Sequence, residues 1–259
     1  MGTTVISFVL LVARVVFALT APQQTARNAW RERLRAQRHI RPHTNPLQRR
    51  FEQAGLDQNI SFAATLPLHV DIGCGKGHFC ADLATARPDL NVLGIEIREP
   101  LVEEASRLVE LAGTPNLRFI AGSANVLAAA CCDQLQVPLS SASIQFPDPW
   151  PKRRHQKRRV VQVDLVRQLA ARMQLESGLV FVQSDVEELA DEMRACFLSS
   201  GFYDDADAAE LGPDGWLRDE ARPWPTVRTE RERQAERRGL NVWRASLRRN
   251  AQLAHEKDV

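Results

Sequence analysis

The sequence predicts a single α/β domain: a mostly parallel seven-stranded sheet with helices on both faces. Three observations predict it. From Leu68 onward, short apolar runs alternate with stretches of helical spacing, the pattern of successive βαβ units. A glycine-rich loop, Asp71-Ile-Gly-Cys-Gly-Lys-Gly77, joins the first apolar run to the first helical stretch. The chain has 259 residues, 44% of them apolar, which suits one ordinary domain with some terminal extension.

Leu68–Ile72 reads as the first strand, and Phe79–Ala86 as a helix that Pro88 stops. Asn91–Glu96 is the second strand, followed by a helix from Pro100 to Leu111 that Gly113 ends. Asn116–Ala121 and a helix near Ala124–Cys131 come next, then a fourth strand at Ser143–Phe146. Val160–Gln174 is helical, Gly178–Gln183 a fifth strand, and Val186–Leu198 a further helix. Phe202-Tyr203 starts a sixth strand and Asn241–Leu247 alternates as a seventh. Between these last two, Gly212, Pro213, Gly215, Pro223 and Pro225 mark a loop, followed by a charged helix near Thr229–Arg238.

The chain divides into residues 1–26, a basic extension over 27–60, and the α/β domain over 61–259. Val5–Leu19 is apolar apart from Ser7 and Arg14, shorter than the roughly 20 residues of a membrane span. No acid precedes Glu32, which suits a targeting segment with no place in the fold. The expected location is the cytoplasm or an organelle interior, with no stable membrane association of the mature domain.

The formal charge is only +2, but its distribution is uneven. Eight arginines between Arg27 and Arg50 face one acid, Glu32, and Lys152–Arg159 is almost solidly basic. Two such runs in one small domain are the electrostatic footprint of a polyanion binder. The cysteines (74, 80, 131, 132, 196) form no C-x-x-C pair, so free thiols and no metal site are expected.

The glycine loop follows a strand and opens a helix, where glycine lets the backbone approach a ligand. Its spacing is G-x-G-x-G (Gly73, Gly75, Gly77), with His78 where a dinucleotide site would carry its third glycine. Asp71 sits inside the end of the strand, directly before the loop. A carboxylate there repels a pyrophosphate but attracts the cationic aminoacyl-sulfonium of S-adenosylmethionine. Glu96 ends the second strand, where a carboxylate accepts ribose hydroxyls on this type of fold. A nicotinamide oxidoreductase is disfavoured by the misplaced third glycine.

The segment Ser143-Ile-Gln-Phe-Pro-Asp-Pro-Trp150, with its basic tail, closely resembles the tRNA (guanine-N7-)-methyltransferase family. Supporting segments are the glycine loop, Gly94-Ile-Glu-Ile-Arg-Glu-Pro100, Gln183-Ser-Asp-Val-Glu187, Thr229-Glu-Arg-Glu232 and Arg41-Pro-His-Thr-Asn-Pro-Leu47. The resemblance runs from about Arg38 to Arg248. It implies a Rossmann-like class I methyltransferase fold and transfer of a methyl group to N7 of the variable-loop guanosine, position 46, in tRNA. By position it implies that Asp71, Gly73, Gly75, Gly77, Glu96, Ser123 and Ala124 bind S-adenosylmethionine, and that Asp148 is the catalytic aspartate. It places Lys152, Asp185, Thr229 and Glu232 at the substrate, while Arg153, Arg154, Lys157, Arg158 and Arg159 are expected to touch RNA. The family has Asp or Asn, then Ala, where this chain has Ser123-Ala124, with Asn125 one place later; which residue meets the adenine stays open. A capping box is the plainer reading of Thr229 and Glu232. Alternatives are a methyltransferase acting on another RNA, a small molecule or a protein, or a catalytically silent RNA-binding scaffold. A monomer and a partnered enzyme are both compatible with the sequence.

Overall fold

The structure, a computed structural model, describes residues 44–48, 58–206 and 208–252. The segment 1–26 and all eight arginines between Arg27 and Arg50 lie outside the described residues.

In chain order the elements are β1 (Leu68–Ile72), α1 (His78–Ala86), β2 (Asn91–Glu96), α2 (Glu99–Ala112), β3 (Leu117–Ala121), α3 (Ala124–Leu135) and β4 (Leu139–Gln145). A short 3-10 helix, Arg153–Arg158, precedes α4 (Val163–Arg172), β5 (Leu179–Ser184), α5 (Glu187–Ser199), β6 (Tyr203–Asp205), α6 (Glu230–Arg237) and β7 (Trp243–Arg249). The seven strands form one sheet in the order β3-β2-β1-β4-β5-β7-β6. β1 to β5 pair in parallel, and β7 runs antiparallel to both β5 and β6. The predicted fold is the observed one.

Each parallel strand is covered on both faces. One layer of core joins Val70, Ile72 and Ile144 to Leu127 of α3, Leu165 of α4 and Phe197 of α5. The opposite layer joins Val92, Leu117 and Phe181 to Leu83 of α1, Leu108 of α2 and Trp224 of the segment before α6. Local signals agree with this packing. In α2, Pro100 sits in the first turn and Gly113 caps the end at φ 62°, while Leu101, Ala105 and Leu108 form the buried stripe. No helix among the described residues is long and apolar enough to cross a membrane.

β4 starts at Leu139, four residues before the Ser143 that the sequence suggested. Ser140 and Ser141 lack the apolar side chains that announce a strand, yet Ser141, like Ser143, is buried and hydrogen-bonded to His69 of β1. α4 starts three residues later than Val160 because Val161 is buried in the core as extended chain before the helix.

Gly94 in the middle of β2 sets the first site loop. A Cβ at this position would lie 2.5 Å from the Phe119 ring and 2.8 Å from Cys74 Sγ. The missing side chain lets Phe119 of β3 cross β2 and lets the glycine loop settle over it. Gly94→Ala should therefore destabilise the fold by about 1–3 kcal/mol, the usual cost of overpacking. A lower urea midpoint with unchanged slope is the expected readout, and an unchanged midpoint would contradict the packing argument.

Candidate active site

β1 lies between β2, whose connection leads outward to β3, and β4, from which the sheet grows the other way. The carboxyl end of the sheet at this reversal is where open α/β sheets leave a crevice. Two adjoining hollows open there. One of about 150 Å³ is lined by Gly73, Glu96, Ser123, Asn125, Asp148 and Arg158, among others. The other, about 840 Å³, is lined by Asp71, Gly75, Lys76, Asp148, Asp185 and Thr229, among others. Gly73, Arg98, Phe146, Pro147 and Asp148 border both.

Asp71 is only 3% exposed. Ser143 Oγ donates to its Oδ1 at 2.5 Å, Gln145 Nε2 to the same oxygen at 3.4 Å, and Cys80 Sγ to Oδ2 at 3.3 Å. Burial pushes its carboxyl above the usual range, and these three donors pull it back. The glycine loop beside it takes positive φ at Gly73 (78°), Gly75 (58°) and Gly77 (74°). A Cβ on Gly73 would meet nothing, so that space belongs to the crevice. Gly77 differs: a Cβ there would lie 2.4 Å from Phe119, so this glycine serves loop packing.

Glu96 is buried at the end of β2 and accepts from Gly75 N (2.9 Å), Arg98 N (3.0 Å), Arg98 Nε (2.8 Å) and Arg98 Nη2 (3.0 Å). Its side chain is thereby held in one plane at the crevice wall. Ser123 and Ala124, at the start of α3, line the smaller hollow with Asn125. Asn125 Oδ1 is buried without a hydrogen-bond partner among the described residues.

Asp148 sits on a turn bracketed by two residues in left-handed backbone, Phe146 at φ 51° and Trp150 at φ 42°. Such conformations cost non-glycine residues on the order of 1 kcal/mol or more and persist only where surroundings hold them. The hold is visible here. Arg159 is buried, donates to Pro149 O at 2.8 Å, and pairs with Glu192 and Glu188 of α5. Arg158 lies over the Trp150 ring at 5.0 Å and His155 meets its edge at 5.9 Å.

The basic run is thus not one surface. Lys152, Arg153, Arg154 and Lys157 are exposed, as RNA contacts would require. Arg158 lines the smaller hollow. Arg159 departs from its expected role, because its guanidinium is spent inside the protein on Pro149 and α5.

Asp185 lies in the larger hollow and pairs with Arg231 of α6. Thr229 caps α6 in a complete capping box: its side chain accepts from Glu232 N at 3.0 Å, and the Glu232 carboxylate accepts from Thr229 N at 3.3 Å. Glu232 is fully buried and faces away from the crevice, with Oε1 taking Arg222, Arg244 (3.1 Å) and Arg228 (3.3 Å). The expected substrate contact at Glu232 is corrected to a structural one: three guanidinium groups occupy the carboxylate. The same helical turn presents Glu230 and Arg231 to the hollow. Sequence reasoning missed these two, and also Lys76, His78 and Arg98. Their one available signal was adjacency to the T-x-x-E box, the glycine loop and Glu96.

Among the described residues, one group of carboxylates could gather round a metal ion: Asp219, Glu232 and Glu236. Arg222, Arg228 and Arg244 interleave them, so their charge is already balanced.

A family model described as "Putative methyltransferase" matches residues 65–245. A tRNA (guanine-N(7)-)-methyltransferase of Microcystis aeruginosa is 41% identical over 213 residues, covering 81% of this chain and 97% of its own length. One from a Synechococcus species is 42% identical over 221 residues, covering 82% of this chain and 89% of that protein. Among solved structures, the 16S rRNA methyltransferase KamB superposes with a TM-score of 0.50 at 16% identity, covering 76% of this chain and 98% of that one. That last likeness is one of fold.

The corrected place of Glu232 is testable by separating stability from turnover. Removing one member of a buried ion-pair cluster typically costs about 3–5 kcal/mol. Glu232→Ala should lose stability on that scale while the KM of protein that stays folded changes little. A stable variant with a large rise in KM would return Glu232 to the substrate.

Proposed function

The chain belongs to the tRNA (guanine-N7-)-methyltransferase family, and on that premise we propose that it methylates N7 of the variable-loop guanosine, position 46, in tRNA, using S-adenosylmethionine. The observation that carries the reading is the placement of Asp148 on the shared border of the two hollows, between the Asp71 and Glu96 wall and the exposed basic turn.

The donor set at the carboxyl end of β1 to β3 fits such a cofactor. Asp71 is a buried carboxylate suited to a cationic amino-acid end. Gly73 leaves room for close approach. Glu96 would accept from ribose hydroxyls, taking over at least one direction that Arg98 now fills, since a carboxylate offers about four lone-pair sites. Asn125 has the unpaired acceptor that an adenine amino group would satisfy, which favours it over Ser123 for that contact. When bound, S-adenosylmethionine supplies an electrophilic methyl group on a positively charged sulfur.

Guanine N7 is an in-plane lone pair without a proton, so the reaction asks for no general base. What remains is alignment of nucleophile, methyl and leaving sulfur, and stabilisation of the positive charge that develops on the imidazole ring. A carboxylate at Asp148 supplies the second by facing that charge, and it would also accept hydrogen bonds from the guanine edge. The strained turn clamped by Arg159 supplies the first. Asp185 and Thr229 line the larger hollow and would hold the base and its ribose, joined by the exposed Lys152 two residues after Trp150, with Gly75 and Ala124 contributing backbone to the cofactor wall. Arg153, Arg154 and Lys157 would receive the flanking phosphates.

Incubating the protein with total tRNA and labelled cofactor, then mapping 7-methylguanosine by borohydride and aniline cleavage, tests both reaction and position. Cleavage at another nucleotide would overturn position 46, and no incorporation would favour a silent RNA-binding scaffold.

Two substitutions should separate the roles of the acids. Glu96→Ala should weaken cofactor binding by about one to two decades, the loss expected for hydrogen bonds to a charged group. Asp148→Ala should leave that affinity intact and lower the single-turnover rate at least about a hundredfold. Near-parental methylation by the second variant would reduce Asp148 to a turn residue.

Neutralising Arg153, Arg154 and Lys157 together should weaken tRNA binding and leave cofactor affinity unchanged. Each lost phosphate contact should flatten the slope of log affinity against log salt by about 0.7–0.9. Superimposable slopes for parent and triple variant would mean a solvated face.

A further inference from the structure

We propose that His69 is a positioning residue for cofactor binding: its imidazole donates an Nε2 proton to Ser143, which turns the Ser143 hydroxyl onto Asp71. The proposal rests on the assignment of Asp71 to the cationic end of the cofactor.

His69 lies two residues before Asp71 on β1, so both side chains leave the same face of the sheet. It is fully buried and borders neither hollow. Its ring stands edge-on to Trp224 at 4.6 Å and tilted to Phe79 at 6.2 Å. Nδ1 lies 2.9 Å from Ser141 Oγ and Nε2 lies 3.1 Å from Ser143 Oγ. Burial holds its pKa down to about 3, so the ring is neutral and carries a single N–H.

Ser143 has one proton and three neighbours: Asp71 Oδ1 at 2.5 Å, His69 Nε2 at 3.1 Å and Gln145 Nε2 at 3.4 Å, the last of which can only donate. An ionised carboxylate only accepts, so the Ser143 proton goes to Asp71. The contact with His69 then requires Nε2 to be the donor, which leaves Nδ1 to accept from the Ser141 hydroxyl. One assignment satisfies the whole series, from Ser141 through His69 and Ser143 to Asp71. Protonating Asp71 would reverse every bond in it and move the ring proton to Nδ1. The tautomer of His69 therefore reports the charge on Asp71.

The other groups facing Asp71 are Cys80 of α1, Gln145 of β4, Cys74 of the glycine loop and Glu96 at the end of β2. Burial raises both thiols, so they stay protonated, and Glu96 adds negative charge that opposes ionisation of Asp71. Arg87 is the charged group acting on the His69 ring. Neutral donors thus work against the burial that raises Asp71, and His69 orders the nearest one.

The test uses the full chain. Long-range proton–nitrogen spectra of protein labelled in its six histidines, with His69 identified by its loss in His69→Gln, should show the Nε2–H form at neutral pH. The Nδ1–H form would overturn the proposal. Cofactor affinity is then measured against pH for the parent, His69→Gln and His69→Phe. Binding needs charged Asp71, so it is lost as pH falls through the Asp71 pKa. Removing the donor to Ser143 raises that pKa and moves the acid limb upward. His69→Phe should bind about three- to tenfold more weakly at neutral pH, the range of one neutral hydrogen bond, with the limb shifted up by about half to one pH unit. His69→Gln keeps an Nε2 donor and should stay near the parent. Coincident acid limbs, or equal losses in both variants, would make His69 a packing residue. Unchanged affinity in Asp71→Asn would instead overturn the assignment of Asp71, whatever the tautomer.

Discussion

Asp71 is buried at the end of β1, and the side chains that hydrogen-bond it are a hydroxyl, a thiol and an amide. Taking a carboxylate out of water costs several kcal/mol unless neighbours compensate, and neutral donors compensate only in part. Much of the surrounding arrangement follows from this one group. β4 carries serines where a parallel strand would ordinarily carry valine or isoleucine, because Ser143 and Gln145 must point at Asp71 from the neighbouring strand. Cys80 in the first turns of α1 is a small donor that fits beneath the loop. The glycines keep side chains away from the opening. On the proposed assignment, the missing compensation is the positive charge of the cofactor, and affinity and specificity arise from the same deficit.

The apolar framework was readable from the chain, and the polar part of the site was readable only in pieces. β1 and β2 have the bounds that their apolar runs announce, since a strand buried on both faces leaves little alternative. The start of β4 was hidden because Ser141 and Ser143 are satisfied by His69 of β1, 72 and 74 residues away in sequence. No local pattern reports such a partner. Asp71 and Glu96 were legible because each lies at the carboxyl end of a strand, where this fold opens, and Asp148 was legible through the resemblance that its motif carries. Arg98 was not: nothing in its immediate sequence says that its guanidinium folds back onto Glu96.

The arginines show how little a charge count says about placement. Arg158 and Arg159 are adjacent in sequence, yet one stacks on Trp150 at the crevice and the other is buried against Pro149 and α5. Arg158 is the last residue of the 3-10 turn and Arg159 follows it in extended backbone, so the two side chains leave the chain in different directions. A basic run wound this way divides between solvent and core. The second cluster, Arg222, Arg228 and Arg244 around Glu232, ties the long segment before α6 and the antiparallel strand β7 to the start of α6. Since that helix carries Glu230 and Arg231 into the larger hollow, the buried cluster fixes one wall of the site without touching it.

The strained turn at Asp148 belongs to the same logic. A reaction that needs proton transfer gains from a side chain with a tuned pKa and some freedom to move. Methylation of an unprotonated ring nitrogen gains from neither, because its barrier depends on how well three atoms are held in line. Rigidity at the point of attack is then worth more than acid–base strength. Left-handed backbone at Phe146 and Trp150, prolines on both sides of Asp148, and the Arg159 clamp on Pro149 all restrict the same few atoms. Proline fixes φ, so the turn has few other conformations to visit. A simple surface turn gains nothing from two unfavourable conformations and a buried guanidinium, whereas a carboxylate that must face a developing charge at fixed distance gains from each.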